Sequence, residues 1–406
     1  MVLKKYKGIT MNEQLAKDGG VPVRATFLPY ARHSIDDADR LVVEDVLKGD
    51  WLTTGPMVKQ FESIVANYVG VSEAVAVNTG TAALHSAVWA AGIGVGDEVI
   101  VPAISFVASA NCILYLGATP VFADLSPDTL NIDPADIERK LTTRTKAIVV
   151  VDFTGHPCDH DAIRAIADKH NLIVIEDAAH SFGAMYKDQK VGGLQDMTTF
   201  SFHPVKHVTT GEGGMVLTNN AQFAQSIRSF RHHGIDLDLH QRAQTRSSRY
   251  DIVTLGYNYR IPDINCALGI SQMGKMDTWI ERRQYIAAAY FEGLSDQEAI
   301  ELPTERDDCR SSWHLFVIRL RLNQLKATRD EIFMAFHAEN IGVNVHYIPI
   351  PWMTYYAELG YQRGNWPVAE SEYERMISLP IFPSMSEQDI CDTITAVKKV
   401  IKAYKK

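Results

Sequence analysis

The chain has 406 residues, 46% of them hydrophobic and 22% charged, an ordinary balance for a globular protein long enough for two or three domains. A formal net charge of -9 argues against broad nucleic-acid binding, which needs a basic face, but leaves room for a local positive pocket and an anionic small molecule. The five cysteines are scattered with no C-x-x-C pair, the opening lysines are not followed by an apolar run, and no apolar run is long enough to span a bilayer. A reduced, cytoplasmic protein without disulfide framework, metal site or membrane span is expected.

In chain order, residues 1–25 are polar and without periodicity, and read as an arm or a partly disordered segment. Short apolar runs at 74–77, 98–101, 120–123, 147–151, 172–175, 198–202 and 214–217 read as buried strands. Helical patterns at 81–91 and 158–169 separate some of them. Strands alternating with helices predict a mainly parallel sheet covered on both faces, with its ligand beyond the carboxyl ends of the strands. The last third reads differently: a strand at 313–320, a helix at 327–338, an extended stretch at 342–349 and a closing amphipathic helix at 386–404. This predicts a large domain over 26–270 and a smaller α/β domain over 271–406, joined by a long helix near 265–285.

The most informative segment is Ser201-Phe-His-Pro-Val-Lys206, followed by the glycines of Gly211-Glu-Gly-Gly214. A lysine just past a strand end, among small residues, fits a Schiff-base nucleophile, because burial lowers its pKa and frees the amine. Alone it reads equally well as an exposed loop lysine. Asp177 ends another apolar run and needs a partner; a pyridinium N–H and a basic side chain serve equally on the isolated residue. The turn Asn78-Thr-Gly-Thr-Ala-Ala83 follows a strand and opens a helix. There Gly80 permits close backbone approach, and the amides of Thr81 and Ala82 fit an anion, although such turns are common without one. Phe106, past a third strand end, fits either a ring-stacking face or a core residue.

Around these residues the chain resembles the pyridoxal-phosphate sugar aminotransferases of the DegT/DnrJ/EryC1/StrS family, which have the aspartate aminotransferase (type I) fold. The likeness runs from Leu28 nearly to the C-terminus. It includes Asp50-Trp-Leu-Thr-Thr-Gly-Pro56, Asp152-Phe-Thr-Gly-His-Pro157, Glu176-Asp-Ala-Ala-His180 and Gly256-Tyr-Asn-Tyr-Arg-Ile-Pro-Asp263. The resemblance implies an α/β enzyme with a seven-stranded, mainly parallel sheet and a smaller C-terminal domain, using pyridoxal 5'-phosphate. Lys206 would carry the cofactor, Asp177 would pair with its ring nitrogen, and His180 would lie near its 3′-oxygen. Phe106 would stack on the ring, and Gly80, Thr81, Ala82 and Ser201 would hold the phosphate. Asn258 would reach that phosphate from the other subunit of a homodimer. Substrate contacts are expected from Tyr30, Leu52, Thr53, Arg260, His314, His346 and Tyr347, with Arg32 and Lys190 as further positive groups near the cleft.

Some family members have histidine in place of the lysine and dehydrate; Lys206 favours amino transfer. His203-Pro-Val-Lys206 and Val345-His-Tyr-Ile-Pro349 look most like members that aminate C4 of UDP-linked 4-keto-6-deoxy-N-acetylhexosamines, with L-glutamate as donor. Three features depart from that pattern: 349–356 lacks an expected His-Leu-Gln, His207 is unusual after the lysine, and 236–249 has no counterpart. Another nucleotide-sugar aminotransferase of the family, GDP- or dTDP-linked and acting at C3 or C4, is the alternative within it; from other classes, a non-catalytic cofactor-binding regulator and a nicotinamide dehydrogenase are the rivals. The acidic charge and the lack of an appended DNA-binding segment speak against the first, the absence of G-x-G-x-x-G against the second.

Overall fold

The structure is a computed structural model and describes residues 14–236 and 249–406. β1 (Glu73–Val77), β2 (Glu98–Pro102), β3 (Thr119–Ala123), β4 (Thr145–Val151) and β5 (Ile173–Asp177) come first; a short hairpin of β6 (Met185–Tyr186) and β7 (Gln189–Lys190) follows, then β8 (Met197–Ser201) and β9 (Gly214–Thr218). Seven of these form one sheet in the order β1-β9-β8-β5-β4-β2-β3, in which only β9 runs antiparallel to its neighbours. The continuous apolar runs suit it, because helices cover both faces and strands such as β2 and β9 are buried along their whole length. All seven expected strands are present to within two residues at each end.

The C-terminal part forms a second sheet, β10 (Ile300–Glu301), β12 (Phe316–Leu320) and β13 (Met376–Leu379), in the order β10-β12-β13. β11 (Cys309–Arg310) instead joins the β6–β7 hairpin. Capping boxes at Thr328/Glu331 and Ser386/Asp389 start the helices Arg329–Ala338 and Glu387–Tyr404. The segment after residue 349 turns back onto the large sheet: Ile350 N–H donates to the Ala103 carbonyl, and Trp366 Nε1 donates to the Phe122 carbonyl.

Two expectations need correction. The long helix near 265–285 is two helices, Asp263–Met273 and Met276–Leu294. Between them Gly274 and Lys275 make tight i to i−3 bonds to Ser271 and Gln272, which close the first helix. The described part of the arm is ordered against the C-terminal core. Leu15 is buried there, and buried Glu339 accepts the amides of Ala16 and Val23 while pairing with Lys399. The stretch 342–349 is extended but joins a sheet only through the Asn344–Ser378 bridge. Most of the unmatched 236–249 segment, residues 237–248, lies outside the described residues.

Candidate active site

The site is built where β1, β5 and β8 end. Thr79 caps the helix Gly80–Ala90 and accepts from the Ala82 amide at 3.0 Å. That bond takes one of the two amides expected for an anion, leaving Gly80 and Thr81 as first-turn donors without helical acceptors. A Cβ added to Gly80 would lie 2.8 Å from Ser201 Cβ. One added to Gly214 would lie 2.4 Å from the Thr79 carbonyl. Only glycines let the ends of β1 and β8 and the start of β9 converge, and the result is a narrow cradle of amides and the Ser201 hydroxyl.

Asp177 ends β5 and is 5% exposed. Ser109 Oγ donates to its Oδ2 at 2.6 Å, and the Ala179 amide donates to Oδ1 at 3.2 Å. Burial raises its pKa, opposed by these two donors and by the charge on Lys206. Lys206 follows β8 with its Nζ 3.5 Å from His314 Nε2. Burial pulls its amine down to about 8 against the opposing pull of Asp177. It is the group a nucleophilic lysine has to be.

Four histidines surround the amine. The rings of His180 and His314 are 4.4 Å apart, and those of His207 and His314 are 5.4 Å apart. His180 Nε2 meets the Tyr347 hydroxyl at 3.2 Å, while His346 Nδ1 meets Ser378 Oγ at 2.8 Å. Burial, then the charge on Lys206, holds His180, His314 and His346 well below the usual imidazole range; burial and Arg283 do the same for His207. These imidazoles are neutral, so they solvate the amine without repelling it. The Nδ1 atoms of His180, His207 and His314 are buried with no protein partner. Such unsatisfied atoms beside a lysine and a phosphate-sized cradle suit a polar aromatic ligand.

Lys206, Asp177, His180, His314, His346 and Tyr347 are thus brought together, with Tyr30 packed 5.4 Å from the His346 ring. Phe106 is 55% exposed and tilted 6.1 Å from Tyr347, so its face is open, not part of the core. Other expected residues stand apart. Leu52 and Thr53 contact Asp263 and Pro262. Arg260 Nη1 is 2.8 Å from His232 Nδ1 and lines a separate cavity of about 1400 Å³ with Gly55, Lys59 and Arg231. Asn258 is exposed, with its carbonyl accepting from Asn78. Arg32 is exposed, and Lys190 sits 3.4 Å over the Tyr68 ring rather than in the cleft. Sequence reasoning missed Ser109. Its signal was the Ser105–Ser109 spacing on the turn and helix after β2, where the two hydroxyls meet at 2.7 Å.

Residues 33–398 match the DegT/DnrJ/EryC1/StrS aminotransferase family. The chain belongs to that family. It is 42% identical over 385 residues to the spore coat polysaccharide biosynthesis protein SpsC of Bacillus subtilis, covering 94% of this chain and 99% of SpsC. Its fold is similar to the putative sugar aminotransferase Spr1654 of Streptococcus pneumoniae in its PMP form, with a TM-score of 0.88, 31% identity and coverage of 93% and 99%. Helicobacter pylori PseC, an aminotransferase involved in the biosynthesis of pseudoaminic acid, superimposes with a TM-score of 0.86 at 31% identity, covering 93% of this chain and all of PseC. The DegT/DnrJ/EryC1/StrS enzymes and these solved neighbours are pyridoxal-phosphate-dependent sugar aminotransferases, and this chain is an enzyme of that class. No helix among the described residues is long and apolar enough to cross a membrane.

Proposed function

We propose that the chain transfers an amino group from L-glutamate to C4 of a UDP-linked 4-keto-6-deoxy-N-acetylhexosamine. The product is a 4-amino-4,6-dideoxy sugar nucleotide for a surface glycan or a nonulosonic acid, as made by UDP-4-amino-4,6-dideoxy-N-acetyl-β-L-altrosamine transaminase. The observation that carries the reaction type is the part-buried Lys206 amine, drawn down to about 8 beside buried Asp177. Its likeness to PseC and the 203–206 and 345–349 segments support the substrate.

When bound, pyridoxal phosphate supplies an electron sink through which an amino group and a proton pass between donor and acceptor carbons. Gly80, Thr81 and Ser201 would hold its phosphate, and Asp177, kept in place by Ser109, would keep its ring nitrogen protonated. Lys206 Nζ takes the proton from one carbon and returns it to the other, while neutral His314 and His180 let the amine give up its charge. His180 and Tyr347, joined at 3.2 Å, would hold the ring's oxygen, and Phe106 would pack against the ring.

The reading includes a cytoplasmic homodimer, a large part at 26–270 and a small part at 271–406. Trp51 and Leu52 (44% and 49% exposed) and Ile252, Val253 and Leu255 (61%, 63% and 81%) are apolar groups that a second subunit would cover. In that dimer the two adjoining loops, one with Leu52 and Thr53 and the other with Asn258 and Arg260, serve the partner's site. The test incubates purified enzyme with glutamate and a panel of UDP-, dTDP- and GDP-linked 3-keto and 4-keto sugars, with products identified by mass and NMR. Amination of the UDP-linked 4-keto sugar alone is expected; a product only from 3-keto sugars sinks the C4 assignment. Lys206→Ala is expected to be colourless and inactive, with borohydride trapping cofactor on the wild-type lysine only.

A further inference from the structure

Beneath the site lies a buried group of charges that the reaction, as described, does not use. Asp152, His160 and Glu176 are 0%, 2% and 0% exposed. His160 Nε2 is 3.1 Å from Glu176 Oε1 and 3.5 Å from Asp152 Oδ1. Glu176 adjoins Asp177 on β5, and its Oε2 accepts from Thr198 at 2.7 Å. The Asp152 amide donates to the Asp177 carbonyl, and Asp152 Oδ2 accepts from Ser181, the residue after His180, at 2.6 Å.

We propose that His160 is a positioning residue for the reaction: as an imidazolium, it neutralises one of the two carboxylates behind Asp177 and so fixes the negative potential and the strand ends under the cofactor. With a neutral ring, Asp152 and Glu176 would be two carboxyls without a cation in a region that excludes water, where burial already raises the Glu176 pKa. His160 also opens the helix His160–His170, where a cation opposes the helix dipole, so local helix energetics do not explain it. The Gln195 amide lies 3.0 Å from His160 Nδ1, and its Oε1 is buried with no partner. Turning that amide over brings the oxygen onto Nδ1–H, breaks a 3.4 Å bond to the His160 carbonyl, and puts the amide N–H groups where Oε1 now has no partner. Nδ1 is then a donor, and Nε2 faces Glu176 Oε1 at 3.1 Å as a charge contact rather than a hydrogen bond.

The remaining neighbours do not supply the charge. The Tyr186 ring meets His160 edge-on at 5.2 Å, Cys158 Sγ donates to the Val151 carbonyl, and Arg306 is spent on Asp159 and Asp308. Glu176 and Asp152 outweigh burial and raise the His160 pKa to about 10.

The spectral part of this inference rests on reading Asp177 as the group under the cofactor; the stability part does not. His160→Gln, Glu176→Gln and the double variant are compared by melting the apo-proteins and by titrating the absorbance of the holo-proteins with pH. His160→Gln is expected to lower the apo melting temperature by about 5 °C, and the double variant, with the charge rebalanced, to recover at least half of it. In the holo-protein, the extra negative charge of His160→Gln raises the midpoint of the absorbance change by about half a pH unit, and the double variant returns it. A double variant no more stable than His160→Gln shows that His160 only fills space, and overturns the proposal. An unchanged midpoint overturns its electrostatic half, and one metal ion per chain in the purified wild type reassigns the three residues as ligands. If His160→Gln does not fold, a folded double variant supports the proposal and an unfolded one overturns it. Wild type that binds no cofactor refutes the functional reading instead, and the apo melting comparison still decides this one.

Discussion

Ser109 Oγ and Asp177 Oδ2 are 2.6 Å apart, so a hydroxyl on the helix after β2 holds the carboxylate that ends β5, 68 residues later. A buried carboxylate with a raised pKa remains ionised only while such donors stabilise its charge. Asp177→Asn removes the charge and is expected to lower kcat about a hundredfold or more. Ser109→Ala keeps the carboxylate but loses a bond to a charged group, for an expected loss of about tenfold. Steady-state kinetics with a saturating donor check both; equal losses would contradict the ranking.

The pH dependence of cofactor capture follows from Lys206. Its folded-state pKa of about 8 lies below the ordinary lysine value of 10.5, so the reactive free amine gains population as pH rises through 8. Stopped-flow mixing of apo-enzyme with pyridoxal phosphate is expected to give rates that climb through pH 8 and level off above it. A rise delayed to near pH 10 would mean that burial does not depress the amine.

Gly80→Ala tests the phosphate cradle. The new Cβ would sit 2.8 Å from Ser201 Cβ and 2.9 Å from its hydroxyl, so the serine must move out of the cradle. Cofactor affinity, read by fluorescence quenching on titration of apo-enzyme, is expected to weaken at least tenfold, and the apo melting temperature to fall as well, because the clash reaches Ser201 Cβ and Cα. Unchanged affinity would place the phosphate elsewhere.

Glu339 anchors the N-terminal segment. It is fully buried, pairs with Lys399 at 2.8 Å and accepts two arm amides. Glu339→Gln leaves the Lys399 ammonium buried without its counter-charge, an expected loss of about 3–5 kcal/mol. Denaturant unfolding monitored by circular dichroism measures it, with limited proteolysis showing earlier cleavage near residues 14–25.

The large sheet is legible in the sequence because a buried parallel strand needs apolar side chains on both faces, as in Ile148-Val-Val-Val151. Lys206 and Asp177 are legible because a charge closing such a run demands an explanation. Ser109 and His160 are not, since serine and histidine are ordinary residues until their partners, 68 and 16 positions away, are known. The Ala82 amide is misread for the opposite reason: Thr79, three residues earlier, claims it as a helix cap. The break at Gly274 is hidden because the apolar pattern continues across it, and Leu52 and Thr53 carry no sign of lying beside Pro262 and Asp263.

The Glu339–Lys399 clamp also bears on the order in which the chain can mature. Hydrogen bonds joining Ala16 and Val23 to Glu339, and Lys399 to the Val21 carbonyl, span 323, 316 and 378 positions. During synthesis residues 16–23 therefore have no docking surface until the helix that carries Lys399 has emerged. The large sheet can form while translation continues, but residues 16–23 are secured only after Glu339 and Lys399 have been made, so a stop before Glu339 leaves them without any of these partners.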